Sequence, residues 1–106
     1  MTESVTELSG REFDNFTKEE IVLIDFYADW CMPCLMMAPV MEDIARKFKG
    51  KIKFGKVNIE DNQELAQKFH ITSLPTFMLF KDGKQAKQFV GSRSIEDFEE
   101  KLKKHL

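Results

Sequence analysis

Two cysteines, Cys31 and Cys34, are the only cysteines of the chain, and they lie two residues apart in the stretch DFYADWCMPCLMMAPV. A helix is predicted to start beside them, so Cys31 would lie at its N-terminus. Unpaired backbone N–H groups and the helix dipole lower the pKa of a thiol there. Cys34 would lie on the same face one turn further in, within reach of a disulfide. This spacing predicts thiol–disulfide exchange in which Cys31 attacks and Cys34, more shielded, resolves.

Two structural explanations of the cysteine pair compete with the chemical one. A stapling disulfide would close a loop of only Met32 and Pro33, which constrains little of the unfolded chain. A zinc site would need two more ligands, and the two histidines, His70 and His105, are far apart in the sequence. Redox chemistry is therefore the favoured interpretation, and half of a zinc site remains the alternative.

The elements that must position the thiols follow from the hydrophobic pattern. Residues 21–28 (IVLIDFYA) are apolar apart from Asp25 and predict a central strand buried on both faces. Between residues 34 and 48 apolar side chains recur three and four apart, which predicts the helix; they are Met37, Met41, Ile44, Ala45 and Phe48. The adjacent Met36 and Met37 are interpreted mainly as core.

The remaining pattern predicts a series of strands and helices in one domain, residues 1–106. A weak strand around Val5 precedes a helix that Ser9 caps and that ends near Phe16. A strand over residues 51–59 and a helix over 62–69 follow. Strands over 76–80 and 88–90 flank the turn signal Asp82-Gly83, with a loop longer than two residues, and Ser94 caps a last helix. The predicted fold class is α/β.

Composition excludes several classes of partner. With 16 basic and 18 acidic residues, the formal charge of −2 provides no field that would attract nucleic acid or an anionic membrane. The first residues, MTESVTELSG, lack the basic and apolar regions of an export signal, and no apolar run approaches the roughly 18 residues of a membrane span. A cytoplasmic monomer is therefore expected.

Several motifs, taken together and in order, resemble the thioredoxin family over almost the whole chain. They are WCMPC after the strand IDFYA, AP within the helix, KVNIEDN, SLPTFMLF, KDGK and FVGS. The resemblance implies a thioredoxin fold, a central mixed sheet with helices on both faces. It also implies a protein-disulfide reductase without a bound cofactor. The implied partners are a thioredoxin reductase and oxidised proteins such as peroxiredoxins or ribonucleotide reductase.

The resemblance also assigns roles to an acid and a lysine near the thiols. Asp25 interrupts an apolar strand, so burial should raise the pKa of its carboxyl. In thioredoxins an aspartate at this place takes the proton from the second cysteine, here Cys34. Lys56 matches a lysine near that aspartate, although a lysine on the strand KIKFGK is equally well explained as solvated.

A substrate-contacting surface is implied by the same family. Its expected members are Trp30, Met32, Pro33, Leu74, Pro75 and Gly91. In thioredoxins the bond before the matching proline is cis, although trans is the usual isomer, and the residue before it pairs with substrate in the manner of a β-strand. Gly91 would allow close backbone approach beside the site, or simply end a strand. Trp30 is interpreted as a core aromatic, a flat docking surface or both.

Two departures from the family pattern concern the immediate surroundings of the thiols. Met32-Pro33 replaces the usual Gly-Pro, which leaves the redox poise open and keeps a disulfide oxidase or isomerase as an alternative. Leu35 replaces a frequent lysine, so one cation that would lower the pKa of Cys31 is missing, and the surroundings become more apolar. A non-catalytic binding module with the same fold is the other alternative.

Overall fold

The computed structural model describes residues 4–106. Over that range, four helices accompany one five-stranded sheet. In chain order the elements are β1 (Val5–Glu7), α1 (Gly10–Thr17), β2 (Ile21–Tyr27), α2 (Met32–Lys47), β3 (Lys53–Asn58), α3 (Gln63–Lys68), β4 (Thr76–Lys81), β5 (Lys84–Val90) and α4 (Ile95–Lys103). The predicted α/β class and order of elements are confirmed.

The sheet has the strand order β1-β3-β2-β4-β5, so the apolar strand β2 is central, as predicted. β3 runs parallel to both β1 and β2, whereas β4 runs antiparallel to β2 and to β5. Parallel neighbours need a crossover connection, which α2 supplies between β2 and β3. The side chains of β2 from Val22 to Phe26 are buried, as expected for a strand covered on both faces.

Helices cover both faces of the sheet, and each face has its own apolar core. On the face that we call the α2–α4 face, Leu23 packs with side chains from those two helices; these include Met37, Met41, Ile44, Phe98 and Leu102. On the opposite α1–α3 face, Ile24 and Phe26 pack with Phe13 and Phe16 of α1 and Leu65 of α3. Successive side chains of β2 point to opposite faces of the sheet, so this strand contributes to both cores.

Close packing on the α1–α3 face requires a glycine in β3. A Cβ atom at Gly55 would lie 2.7 Å from Leu8 Cδ1 and 2.9 Å from Phe16 Cε1. Both distances are below those at which carbon atoms normally meet. The absence of a side chain at Gly55 therefore allows Leu8 and the α1 side chains to lie directly on the sheet.

The hairpin between β4 and β5 differs from its prediction. Its loop contains only Asp82 and Gly83, and β5 begins at Lys84 rather than at residue 88. Both loop residues have positive φ, 52° and 83°, which suits a two-residue turn that matches the twist of the strands. Most side chains of β5 are exposed, so its first residues are polar and show no apolar pattern that would predict a strand.

Candidate active site

The two cysteines lie at the start of α2, after the short segment that follows β2. Cys31 is the N-cap of α2, one position before Met32, and Pro33 occupies the second helical position. The backbone N–H of Cys34 donates a hydrogen bond to Cys31 Sγ over 3.2 Å. The structure joins the two cysteines in a disulfide, with their Cα atoms 5.3 Å apart. The sulfur of Cys31 therefore occupies the place where helix N-termini stabilise anions.

Residue exposure does not distinguish the two cysteines. Cys31 and Cys34 are each only 4% exposed, and they share a small apolar cluster with Ala28. Leu74 packs against the same cluster. In this oxidised form the prediction that Cys34 is the more shielded cysteine finds no support from burial, so a difference in reactivity must come from the helix terminus.

Exposed apolar side chains lie beside the two buried cysteines in the sequence, and together we call them the apolar surface. Trp30 is 66% exposed and Met32 67%, so Trp30 is not a core aromatic. Leu35 and Met36 continue the surface along α2, and Met36 is 73% exposed. The interpretation of Met36 as core is wrong: Met37 takes the inward position, and its neighbour is rotated about 100° away on the helix.

The loop before β4 and the end of β5 meet beside the disulfide. The Leu74–Pro75 peptide bond is cis, which confirms that prediction. The N–H of Gly91 donates to the Pro75 carbonyl over 2.9 Å. Gly91 directly follows β5 with φ at 91°, and a Cβ atom added to it would meet no atom of a non-adjacent residue within 4 Å. Its positive φ explains the glycine, and the open space leaves this backbone approachable.

Asp25 is buried on the α2–α4 face of β2. The residue is 6% exposed, and its Oδ1 atom has no hydrogen-bond partner among residues 4–106. Burial raises the pKa of Asp25 to about 7, although Lys56 acts in the opposite direction. The expectation of a buried acid with a raised pKa agrees with this geometry. Such a group can gain or lose a proton near neutral pH.

Lys56 lies directly opposite Asp25 in the pairing of β2 with β3. Its side chain is about one-third exposed, and Nζ lies 3.9 Å from Glu7 Oε1. The structure therefore brings the predicted lysine to the predicted acid, as well as to Glu7, which no sequence motif singled out. β1 is only three residues long, so no periodicity marked Glu7 in advance.

The histidines do not join the cysteines. Within the described residues, no three side chains among His, Cys, Asp and Glu are grouped so that they could hold a metal ion. The sulfurs of Cys31 and Cys34 are instead bonded to each other. No helix in the same part of the chain is both long enough and apolar enough to cross a membrane.

Known proteins match this chain in both sequence and fold. The thioredoxin family model matches residues 4–104. Thioredoxins of Staphylococcus aureus strains Mu50 and MW2 are each 36% identical over 103 residues, which covers 97% of this chain and 99% of theirs. The solved structure of a mutant thioredoxin from Halobacterium salinarum NRC-1 matches with a TM-score of 0.87 and 32% identity, over 98% of this chain and 93% of that one.

A disulfide at the N-terminus of a helix, facing a cis-proline loop, defines a thiol–disulfide oxidoreductase. The chain belongs to the thioredoxin family, with Cys31 and Cys34 as its redox-active pair. Its fold is the thioredoxin fold, and its activity is the reduction of protein disulfides. Family membership implies a thioredoxin reductase and protein substrates in general as its partners.

Proposed function

We propose that Cys31 is the attacking nucleophile and Cys34 the resolving thiol. The supporting observation is the hydrogen bond from the Cys34 N–H to Cys31 Sγ at the start of α2. In the reduced protein the Cys31 thiolate attacks one sulfur of a substrate disulfide. A mixed disulfide forms, and the other substrate sulfur leaves as a thiolate. Cys34 then attacks Cys31 Sγ, which releases the second substrate thiolate and leaves Cys31 and Cys34 oxidised.

Asp25 accepts the proton that Cys34 loses in the second step of this proposal. Its carboxyl is buried, and its pKa of about 7 matches a proton acceptor working near neutral pH. Lys56, opposite Asp25 in the sheet, stabilises the charged form of the carboxylate. Without the lysine the acid would be protonated at neutral pH and less able to accept a proton.

Alkylation of the reduced protein tests the two cysteine roles. Iodoacetamide at pH 7 should modify Cys31 faster than Cys34 by an order of magnitude or more, because only the thiolate reacts. Cys34→Ser should trap a stable mixed disulfide with substrate, whereas Cys31→Ser should form none. Equal alkylation rates, or trapping through Cys34, would contradict the assignment.

Substrates of this protein should have an apolar surface beside their disulfide. The chain carries no charged residue from Trp30 through Met41. Within this segment, four exposed apolar residues stand next to the cysteines in the sequence; they are Trp30, Met32, Leu35 and Met36. Pro33 lies between the two cysteines, and Leu74, just before Pro75, packs against their cluster. The backbone of Leu74 would pair with the substrate chain, and Gly91 would allow close backbone approach. A charged surface would lose hydration here without gaining an ionic partner.

Turnover of protein substrates tests the apolar surface. Met36→Gln should raise KM several-fold with little change in kcat, because binding loses apolar contact while the sulfurs are untouched. Met36→Leu is the matched control, since it keeps an apolar side chain of similar size. The surface would lose its role if Met36→Gln left the KM of every protein substrate unchanged.

Oxidised cytosolic proteins are the proposed substrates, with peroxiredoxins and ribonucleotide reductase as specific candidates. The same proposal includes a monomeric protein located in the cytoplasm. It rests on the typical behaviour of the family to which the chain belongs. The reduction potential of the Cys31–Cys34 pair checks the direction of electron flow. A potential above that of the cytosolic thiol pool would favour an oxidase or isomerase instead.

A further inference from the structure

Three charged residues form a row across neighbouring strands on the α2–α4 face. In the parallel pairing of β1 with β3, Glu7 lies opposite Lys56, and in the pairing of β2 with β3, Asp25 lies opposite the same lysine. Paired residues of neighbouring strands point to the same face of a sheet. The order of charge along the row is therefore negative, positive, negative, from the edge strand to the buried centre.

A tyrosine fixes the outer end of this row. Tyr27 follows Asp25 by two residues on β2, so its side chain points to the same face. Its hydroxyl donates a 2.6 Å hydrogen bond to Glu7 Oε1. The same oxygen lies 3.9 Å from Lys56 Nζ, which is also 6.0 Å from the centre of the Tyr27 ring. Tyr27 thus holds the Glu7 carboxylate beside the ammonium group that faces Asp25.

Lys56 and Glu7 act on Asp25 in opposite senses. Burial is the main cause of the raised pKa of Asp25; the positive charge of Lys56 lowers that pKa, and the negative charge of Glu7 raises it. Burial and the hydrogen bond to Glu7 raise the pKa of Tyr27, so its hydroxyl stays protonated and remains a donor at neutral pH. The arrangement therefore persists across the range in which Asp25 titrates.

We propose that Glu7 and Tyr27 are positioning residues for thiol–disulfide exchange, because they draw the Lys56 ammonium toward the edge of the sheet and limit how far it stabilises the Asp25 carboxylate. This inference rests on the proposed role of Asp25 as the proton acceptor for Cys34. Without Glu7 the lysine would stabilise the Asp25 carboxylate more strongly. The pKa of Asp25 would then be lower, and its carboxylate would be a weaker base. Tyr27 acts on Lys56 through Glu7, and its ring also packs against the apolar cluster that contains Cys31 and Cys34.

The charged and titratable groups that bear on Asp25 come from several elements. Glu7 on β1 and Lys56 on β3 act on Asp25 directly, and Tyr27 on β2 interacts with both Glu7 and Asp25. Asp29, in the turn after β2, acts on Tyr27. The sulfurs of Cys31 and Cys34 do not titrate in the disulfide form. On β4 the residue opposite Asp25 is the uncharged Phe77. Glu7→Gln and Tyr27→Phe leave both cysteines in place, and Tyr27→Phe keeps the ring that packs against their cluster.

Carboxyl carbon NMR of the full-length protein measures the effect on Asp25 directly. In the Cys31–Cys34 disulfide form, where the thiols do not titrate, Glu7→Gln should lower the titration midpoint of Asp25 by about half a pH unit. Tyr27→Phe should lower this midpoint by less, because Glu7 then keeps its charge and loses only the hydrogen bond from the Tyr27 hydroxyl. The double variant should show little beyond the Glu7→Gln effect. Glu64→Gln is the control, since this exposed residue lies on α3, across the sheet.

Single-turnover kinetics then connect the row to the reaction. In Glu7→Gln the pH midpoint of the step in which Cys34 resolves the mixed disulfide should fall together with that of Asp25. An unchanged Asp25 midpoint in Glu7→Gln, relative to Glu64→Gln, would overturn the inference. If the NMR midpoint moves while the resolution step does not follow it, the row exists but the proposed role of Asp25 in proton transfer is wrong.

Discussion

The two faces of the central sheet are built for different purposes, although they share the same strands. The α1–α3 face is closed by an aromatic group in which Phe13 contacts Phe26, Phe69 and Phe80 with ring centres 5.4–6.3 Å apart. The α2–α4 face instead buries Asp25 with one carboxylate oxygen lacking a partner among residues 4–106. The α1–α3 face is thus packed with apolar side chains, whereas the α2–α4 face also buries an ionisable group, whose burial raises its pKa.

The largest expected effect on stability is the loss of an aromatic ring from the α1–α3 face. Phe13→Ala should lower the free energy of unfolding by about 3–5 kcal/mol, because a buried ring leaves a cavity that its neighbours fill only in part. Urea unfolding measures this change. The resolution rate of the folded variant should match that of the original protein. Phe13→Leu serves as the milder variant, and a specific loss of turnover in it at unchanged stability would contradict the division of roles.

Asp25→Asn should have the opposite sign on stability. The pKa of Asp25 is about 7 in the folded protein against an ordinary 3.8, so below the ordinary value both states are protonated and the acid has no effect. As pH rises from about 4 to 7, the unfolded chain releases the proton first, and folding loses up to roughly 4 kcal/mol. Asp25→Asn has no carboxyl to titrate at this position, so its folding free energy should not decrease in this way as the pH rises.

Thermal unfolding as a function of pH checks the prediction for Asp25→Asn. The stability difference between variant and original protein should be small near pH 3.5 and grow until about pH 7. Resolution of the mixed disulfide should slow by roughly 10²-fold or more, because the variant lacks the proposed proton acceptor. A stability difference that does not depend on pH would show that folding leaves the pKa of Asp25 unchanged.

Gly55→Ala should cost less than the loss of a ring but still a measurable amount. The added Cβ would press on Leu8 and Phe16, and overpacking of this kind costs about 1–3 kcal/mol. Denaturant unfolding measures the loss of stability. Gly50→Ala is the comparison, because an added Cβ there meets open space, although the φ of Gly50 is 87°. The redox rates of Gly55→Ala should stay unchanged. Stability equal to the original protein would mean that α1 can shift away from the sheet.

The smallest effect on stability is expected at the exposed apolar surface. Leu35→Lys should change the free energy of unfolding by less than about 0.5 kcal/mol, because the side chain points to solvent. The added cation should nevertheless make the Cys31 thiol more acidic. The rate of Cys31 alkylation near pH 6 should therefore rise a few-fold, with Leu35→Gln as the uncharged control. Equal rates in the two variants would show that the helix terminus alone sets the acidity.

Local patterns were sufficient to predict the elements that carry the thiols. The apolar run around Asp25 identified a central strand, and the three- and four-residue spacing after Cys34 identified α2, because burial imposes those periods directly. The cis bond before Pro75 could not be derived from local pattern; it followed from family resemblance. The pairing of Glu7 with Lys56 was not predicted, because register between distant strands depends on the assembled sheet.

The edges of the sheet also determine how the molecule behaves among its own copies. β1 offers only three residues at one edge, and β5 at the other carries Lys84 and Lys87 with their side chains exposed. Short edges and edge lysines oppose strand pairing between molecules, since a second copy would bring like charges together. At high concentration these two edges should therefore limit aggregation by strand pairing between molecules.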